Sequence, residues 1–182
     1  VGESPKKYLP LPPSALLEYL SQSHKDKLNN LEDAFKNVEI EDKFTDFWHL
    51  HGYRNIMLKM KELINNANEK IIISGWKREF SECKKELMSA KRRGVRCTIF
   101  SFTEVDEKLG KIVSYKLDED ELRKIWTPKI IMVVDHSHTL MGSAQSVEQS
   151  KAILTQNKAI SEIAMNHIIL DITLAGQRLG FD

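Results

Sequence analysis

PKIIMVVDHSHTLMGSAQ, residues 128–145, decides how this chain is read. Lys129 to Asp135 is a short run rich in β-branched and large apolar residues, and Thr139 to Gly142 is a second. The polar Asp-His-Ser-His between them is turn chemistry, so the stretch predicts two strands joined by a tight turn. A small-residue segment, Gly142-Ser143-Ala144-Gln145, closes it.

Working outward, the same alternation of strand and helix signals extends over most of the chain. Residues 47–51, FWHLH, read as a strand. Tyr53 to Ala67 is a helix with Ile56, Met60, Leu63 and Ile64 on one face. Residues 70–76, KIIISGW, and 95–102, VRCTIFSF, are apolar enough to be strands buried on both faces. The helix between them, Phe80 to Arg93, ends at Gly94, and the three elements together imply a right-handed parallel unit. Lys111 to Lys116 reads as a short strand, the charged DEDELRK segment as a helical turn, Ala152 to Thr155 as a strand and Lys158 to Leu174 as a closing helix. This pattern gives an α/β class, a mixed sheet flanked by helices, over residues 46–182.

The first 45 residues are different. Residues 1–13 hold four of the five prolines and read as a Pro-rich linker. Ser14 then caps a helix running to about Val38 within a segment 14–45. Leu17, His24, Leu31 and Val38 recur every seven residues, and Leu28 and Phe35 fill the interleaved positions. Either the helix packs on its own domain or it pairs with a second chain as a short coiled coil. His24 in the seam is the kind of polar interruption that sets register.

Composition narrows the function. Lys and Arg number 27 against 26 Asp and Glu, so there is no strong basic field to suggest nucleic acid or a membrane. Cys83 and Cys97 form neither a disulfide framework nor a zinc spacing and are expected to be reduced, buried thiols. The uninterrupted apolar runs are too short for a membrane span and no signal-like segment opens the chain, so a cytoplasmic location is the default expectation.

The arrangement strand, Asp, turn, strand, Gly-Ser resembles the phospholipase D superfamily, whose motif is H-x-K, four residues, D, and a downstream G-S. Asp135 stands at the Asp position and Gly142-Ser143 at the small-residue turn. Pro128 then stands at the His position and Ile130 at the Lys position. That chemistry needs an imidazole to attack phosphorus, a second to protonate the leaving group, and lysines to hold the phosphate. Proline and isoleucine supply none of this, and no other H-x-K triplet occurs; His24-Lys25-Asp26 is contiguous and sits on the heptad helix. The resemblance therefore implies a phospholipase D-like fold without its catalysis.

A narrower resemblance covers nearly the whole chain. Degenerate domains of this kind form the regulatory part of TrmB-like transcriptional regulators. KKYLPLPPSALLEYL resembles the segment joining that family's winged helix to its dimerising helix, and FWHLHGYRNIMLKMKELINNANEKIIISGW its first strand-helix-strand unit. KIIMVVDHSHTLMGSA resembles its hairpin, and AILTQNKAISEIAMNHIILDI its terminal helix. The resemblance implies a homodimer and a small-molecule effector. It also implies DNA contact only through a winged helix that would precede Val1, and no membrane. No cofactor is expected. Nothing after Asp182 corresponds to the additional sugar-binding subdomain of well-known members, so a sugar effector stays open.

Candidate residues follow. Sheets of this kind place ligands at the carboxyl edge of parallel strands, and Ser74, Trp76, Lys77, Ser101, Asp135, Ser143 and Gln145 are expected to converge there. Trp76 is either a stacking platform for a planar ligand or a plug over the core. His49 with His51, and His136 with His138, are pairs that a metal could use, but His136 and His138 fall in the turn and no acidic or thiol ligand stands at a suitable spacing, so they read as surface histidines and no metal is expected. Lys84, Lys85, Lys91, Arg92 and Arg93 share a helix with Glu79, Glu82 and Glu86; they read as a solvated charged face, or as a second DNA contact if they cluster. Two other functions remain: a phosphodiesterase or nuclease with an atypical nucleophile, and a purely structural dimerisation domain.

Overall fold

Proline fixes φ near the helical value and lacks the N–H that a first turn leaves unpaired, so Pro13 suits the first position of a helix. The computed structural model describes residues 12–36, 47–145 and 149–180, and the chain falls into two units, Val1–Phe44 and Thr45–Asp182. In the first unit, α1 (Pro13–Lys36) is a single helix. Leu17, Leu28 and Leu31 are exposed along it, as is His24. Phe35 lies in its last turn, whereas Val38 and residues 1–11 of the linker are outside the described residues.

The second unit is a seven-stranded mixed sheet flanked by helices, the class expected from the alternation of patterns. In chain order its elements are β1 (Phe47–His51), α2 (Tyr53–Asn66), β2 (Lys70–Gly75), α3 (Lys77–Glu82), α4 (Lys84–Arg92), β3 (Arg96–Thr103), β4 (Lys111–Leu117), α5 (Glu119–Ile125), β5 (Lys129–Val134), β6 (His138–Ser143), β7 (Lys151–Thr155) and α6 (Lys158–Leu179). The strand order is β1-β7-β6-β5-β2-β3-β4. β2, β3 and β4 run parallel. β5 lies beside β2 but antiparallel to it, and β6, β7 and β1 continue the antiparallel half.

Period-two alternation sorts the strand residues onto two faces. Ile71, Ile73, Cys97, Ile99, Ile130 and Met132 face one core with the apolar stripe of α2, Phe80 of α3 and Leu87 of α4. Ile72, Phe100 and Ile131 face the other, under Ile168 and Ala175 of α6. Both cysteines are buried and free. Burial pushes the Cys83 thiol up to about 12, because a thiolate loses its hydration there.

Three helices differ from expectation, the first being α1, which begins at Pro13 and so takes in Ser14, expected as its cap. The helix predicted over Phe80–Arg93 starts three residues earlier and is interrupted at Cys83, whose φ of −93° and ψ of 8° leave the helical region. The bonds Cys83 N–H to Glu79 O and Leu87 N–H to Cys83 O, both 3.0 Å, carry the path across the break. α6 runs on past Leu174 to a left-handed cap at Gly180, φ 70°. It is also, by length and composition, long and apolar enough to cross a membrane, a test the uninterrupted runs in the sequence did not reveal. Its buried Ile168 and Ala175 pack on the sheet, whereas Ile163, Ile169, Leu170 and Leu174 on the same helix are exposed.

Candidate functional site

The hairpin of residues 128–145 positions everything that follows. Val134 O accepts from Ser137 N–H at 3.1 Å, and the two central residues, Asp135 and His136, have φ of 48° and 58°. Two successive positive φ values make the primed turn whose twist matches the flanking strands. The Asp135 carboxylate also accepts three backbone N–H groups, from Asn68, Glu69 and Lys70, each at 2.9 Å. Burial opposes its ionisation, but those donors outweigh burial and hold its carboxyl below the usual range.

This places Asp135 at the amino end of β2, because Ile71 pairs with Val134 and β5 runs antiparallel. Ser74 and Trp76 lie at the other end of the same strand. The expected convergence of Asp135 with them therefore does not occur: a strand antiparallel to β2 carries its last residue to the edge where β2 begins. Asp135 anchors the hairpin to the start of β2. Replacing it with Asn keeps the turn's backbone preference and removes the charge on three donors, so a loss of about 2 kcal/mol is expected. A carboxyl held low in the folded chain contributes stability above its unfolded pKa and loses it as pH falls through the folded value. Thermal melts from pH 7 down toward pH 3 check this: the gap between wild type and Asp135→Asn should narrow on acidification.

At the carboxyl edge the sequence frame is filled, not open. Pro128 is buried, and Ile130 is 1% exposed within the core under α2, α3 and α4. Ala144 N–H donates to Pro128 O at 2.8 Å. Beside this closure sits a cluster that the sequence reading missed. Arg78 donates from Nε to Glu79 Oε1 at 2.9 Å and from Nη2 to the Ala144 carbonyl, with its guanidinium 4.1 Å from the centre of the Tyr53 ring. Tyr53 OH donates to the same Glu79 oxygen at 3.3 Å, while Glu79 Oε2 has no hydrogen-bond partner among the described residues. Burial raises the Glu79 carboxyl despite Arg78, because a residue 1% exposed loses nearly all its hydration. Burial and the Glu79 charge likewise raise the Tyr53 phenol. The group ties the Gly142–Gln145 segment to the start of α3.

Other candidates separate. Ser101 is fully buried, accepts from Thr103 N–H at 3.1 Å and lies 3.2 Å from Thr103 Oγ1, which in turn accepts from Lys77 N–H at 2.8 Å. That chain of bonds fixes where α3 begins; it faces no ligand space. The exposed Lys77 side chain borders a different hollow, with Phe80 and Lys84. Ser143, opposite Lys129, lines a shallow depression with Met141 and Ile153.

Ser74 and Trp76 do line one cavity, of about 350 Å³, between the sheet and α6. Its other walls are Phe102 of β3, Ile125 at the end of α5, Trp126 and Thr127 after it, Lys129 and Ile131 of β5, and His167 and Asp171 of α6. Gln145 reaches it indirectly, donating from Nε2 to Thr127 Oγ1 at 3.1 Å. Trp76 is 3% exposed with Arg123 at 5.4 Å over its ring, so it forms the floor, whereas Trp126 is 51% exposed at the mouth. Phe102 and Trp126 meet edge to face, centroids 5.0 Å apart at 76°. The signal in the sequence was Ile125-Trp126-Thr127 directly before Pro128, two large apolar residues in a segment otherwise read as a charged turn.

Among the described residues no group of three His, Cys, Asp or Glu could hold a metal. His49 and His51 lie on the edge strand β1, and His138 pairs with Gln156 and Ser137 instead. Lys85, Lys91, Arg92 and Lys108 do cluster, around Met88.

A family model described as "Transcriptional regulator TrmB, EBD N-terminal subdomain" matches residues 46–170. The uncharacterised protein YrhO of Bacillus subtilis (strain 168) is 22% identical over 174 residues, covering 95% of this chain and 63% of YrhO, so the chain spans less than two thirds of that relative. TrmBL2, described as an archaeal chromatin protein with a novel mode of DNA binding, superposes with a TM-score of 0.52 at 17% identity, over 87% of this chain and 68% of its own. NucT from Helicobacter pylori gives 0.50 at 11% identity, over 71% of this chain and 97% of its own. At these identities the two structures share the fold.

Proposed function

The chain belongs to the TrmB family of transcriptional regulators, and from that premise we propose that residues 46–182 are a non-catalytic effector-sensing domain and that residues 14–45 pair two chains into a homodimer. One observation carries the sensing role. The phospholipase D frame is closed by buried Pro128 and Ile130, while an aromatic-walled cavity stands on the other face of the same sheet edge. Its size and its mix of apolar walls with a few polar groups are those of a small-molecule site. DNA is reached through a winged-helix head outside this chain, as the linker resemblance implies, and the cytoplasm is the compartment in which such a regulator works.

The test is a small-molecule library screened by thermal shift, with each hit titrated against wild type and Trp126→Ala. Wild type should gain melting temperature with at least one compound, and loss of the indole should weaken that compound about tenfold, the scale of a stacking contact plus its buried area. Bis(p-nitrophenyl) phosphate should not be turned over. Turnover that survives purification would favour the phosphodiesterase reading, and hits indifferent to Trp126 would remove this cavity from the account.

The exposed heptad leucines of α1 support the pairing. By sedimentation the chain should run as a dimer, and Leu28→Glu with Leu31→Glu as a monomer with an unchanged melt of the sheet domain. A dimer that persists in the double variant would move the interface elsewhere.

A further inference from the structure

The cavity beside Trp76 carries more than the statement that something small binds. Its apolar half is a corner: Phe102 and Trp126 stand nearly at right angles, 76° apart with centroids at 5.0 Å, and Tyr115 stacks behind Phe102 at 5.9 Å. Because Phe102 is held by Tyr115 and by Phe100 edge-on at 5.0 Å, this wall is set before any ligand arrives. Its polar half holds opposite charges from two different elements. Lys129 comes from the first position of β5, and Asp171 from the middle of α6.

Neither charge is neutralised at close range. Lys129 has no ion pair among the described residues, and at Asp171 the contact is a loose 3.7 Å to the His167 imidazole Nε2. Burial holds the Asp171 carboxyl above its ordinary value, as for a group partly withdrawn from water. A ligand that brings only a carboxylate answers Lys129 and leaves Asp171 opposed. An amine alone does the reverse. A neutral sugar can stack on Trp126 but leaves both charges with hydrogen bonds only. A ligand with both charges on one carbon and an apolar body satisfies the rim and fills the corner, and 350 Å³ is room for one such molecule.

We propose that this cavity binds an apolar α-amino acid as its zwitterion, ammonium toward Asp171, carboxylate toward Lys129, and side chain against Phe102 and Trp126. This deepens the effector-sensing reading and rests on it. The regulator would then report the supply of a branched or aromatic amino acid.

The experiment is calorimetric titration of the 182-residue chain with L-leucine, L-isoleucine, L-phenylalanine and L-tryptophan, and with 3-phenylpropionate, phenethylamine and maltose. At least one amino acid should bind, and for the phenylalanine set each single-charge analogue should be tenfold or more weaker. Asp171→Asn should weaken the amino acid and close its gap to 3-phenylpropionate. Lys129→Met should weaken it and close its gap to phenethylamine. That pairing of variant with analogue is a readout that a general loss of structure cannot reproduce. Absence of amino-acid binding, or gaps that both variants leave unchanged, overturns the proposal. Maltose binding that depends on Trp126 would overturn the ligand class and keep the effector-sensing reading. A library screen without hits would remove both.

Discussion

Ile130→Lys should lower stability by about 3–5 kcal/mol, the cost of an uncompensated buried charge, against a total of about 5–15 kcal/mol for a domain of this kind. Ile130 is 1% exposed and shares its core with Met132, Ile73 and the apolar face of α2. The expected observation is a urea midpoint displaced far below wild type, with Ile130→Val, a loss of about 1 kcal/mol, as the reference for a mere change of volume. Should Ile130→Lys melt close to wild type, the frame retains a polar space and the non-catalytic reading weakens. Pro128→His alone should restore no hydrolysis, because a lone imidazole lacks both the lysine and the second imidazole that the reaction uses.

Gly142→Val is expected to be the more damaging change. A Cβ at Gly142 would fall inside contact distance of the Lys151 carbonyl oxygen and 2.5 Å from the Cα of Ala152, both fixed by the β6–β7 ladder. Backbone cannot step aside as a flexible side chain can, so even Gly142→Ala should cost at least about 3 kcal/mol, the upper range for overpacking. For Gly142→Val we expect loss of soluble protein, and for Gly142→Ala a large drop in melting temperature. An alanine variant that melts like wild type would mean that β6 and β7 pair less closely than the structure describes. The glycine of the Gly-Ser pair thus answers to strand packing and has no need of a phosphate ligand to explain it.

The succession of elements was legible in the sequence because each is written locally. Alternating β-branched runs mark the strands, and spacing such as Ile56, Met60, Leu63 and Ile64 marks a helix face. What was not legible depends on which strand lies beside which. Nothing in KIIMVV says that it pairs antiparallel with KIIISG, yet that single choice moves Asp135 to the opposite edge from Trp76. Glu79 reads as part of a solvated charged face, because its helix carries charges of both signs. Only the fold shows Glu79 buried and Arg78 reaching Ala144. Trp126 was hidden for a similar reason. Its role depends on Phe102, which is distant in sequence and comes near through the β3–β4 pairing and α5.

The hairpin has its two ends in different company. Asp135 secures one end on three backbone donors, which any side chains at Asn68 and Glu69 would still supply, since they come from the main chain. Lys129 and its neighbours Trp126 and Thr127 at the other end line the cavity. Descent with modification acts unequally on such a strand. Over about 20 Å, the length of six extended residues, the strand passes from the Asp135 anchor, where a change harms folding, to the cavity wall at Lys129. Under the proposed function, substitutions at 126 and 129 should change what the cavity holds while the Asp135 anchor stays intact.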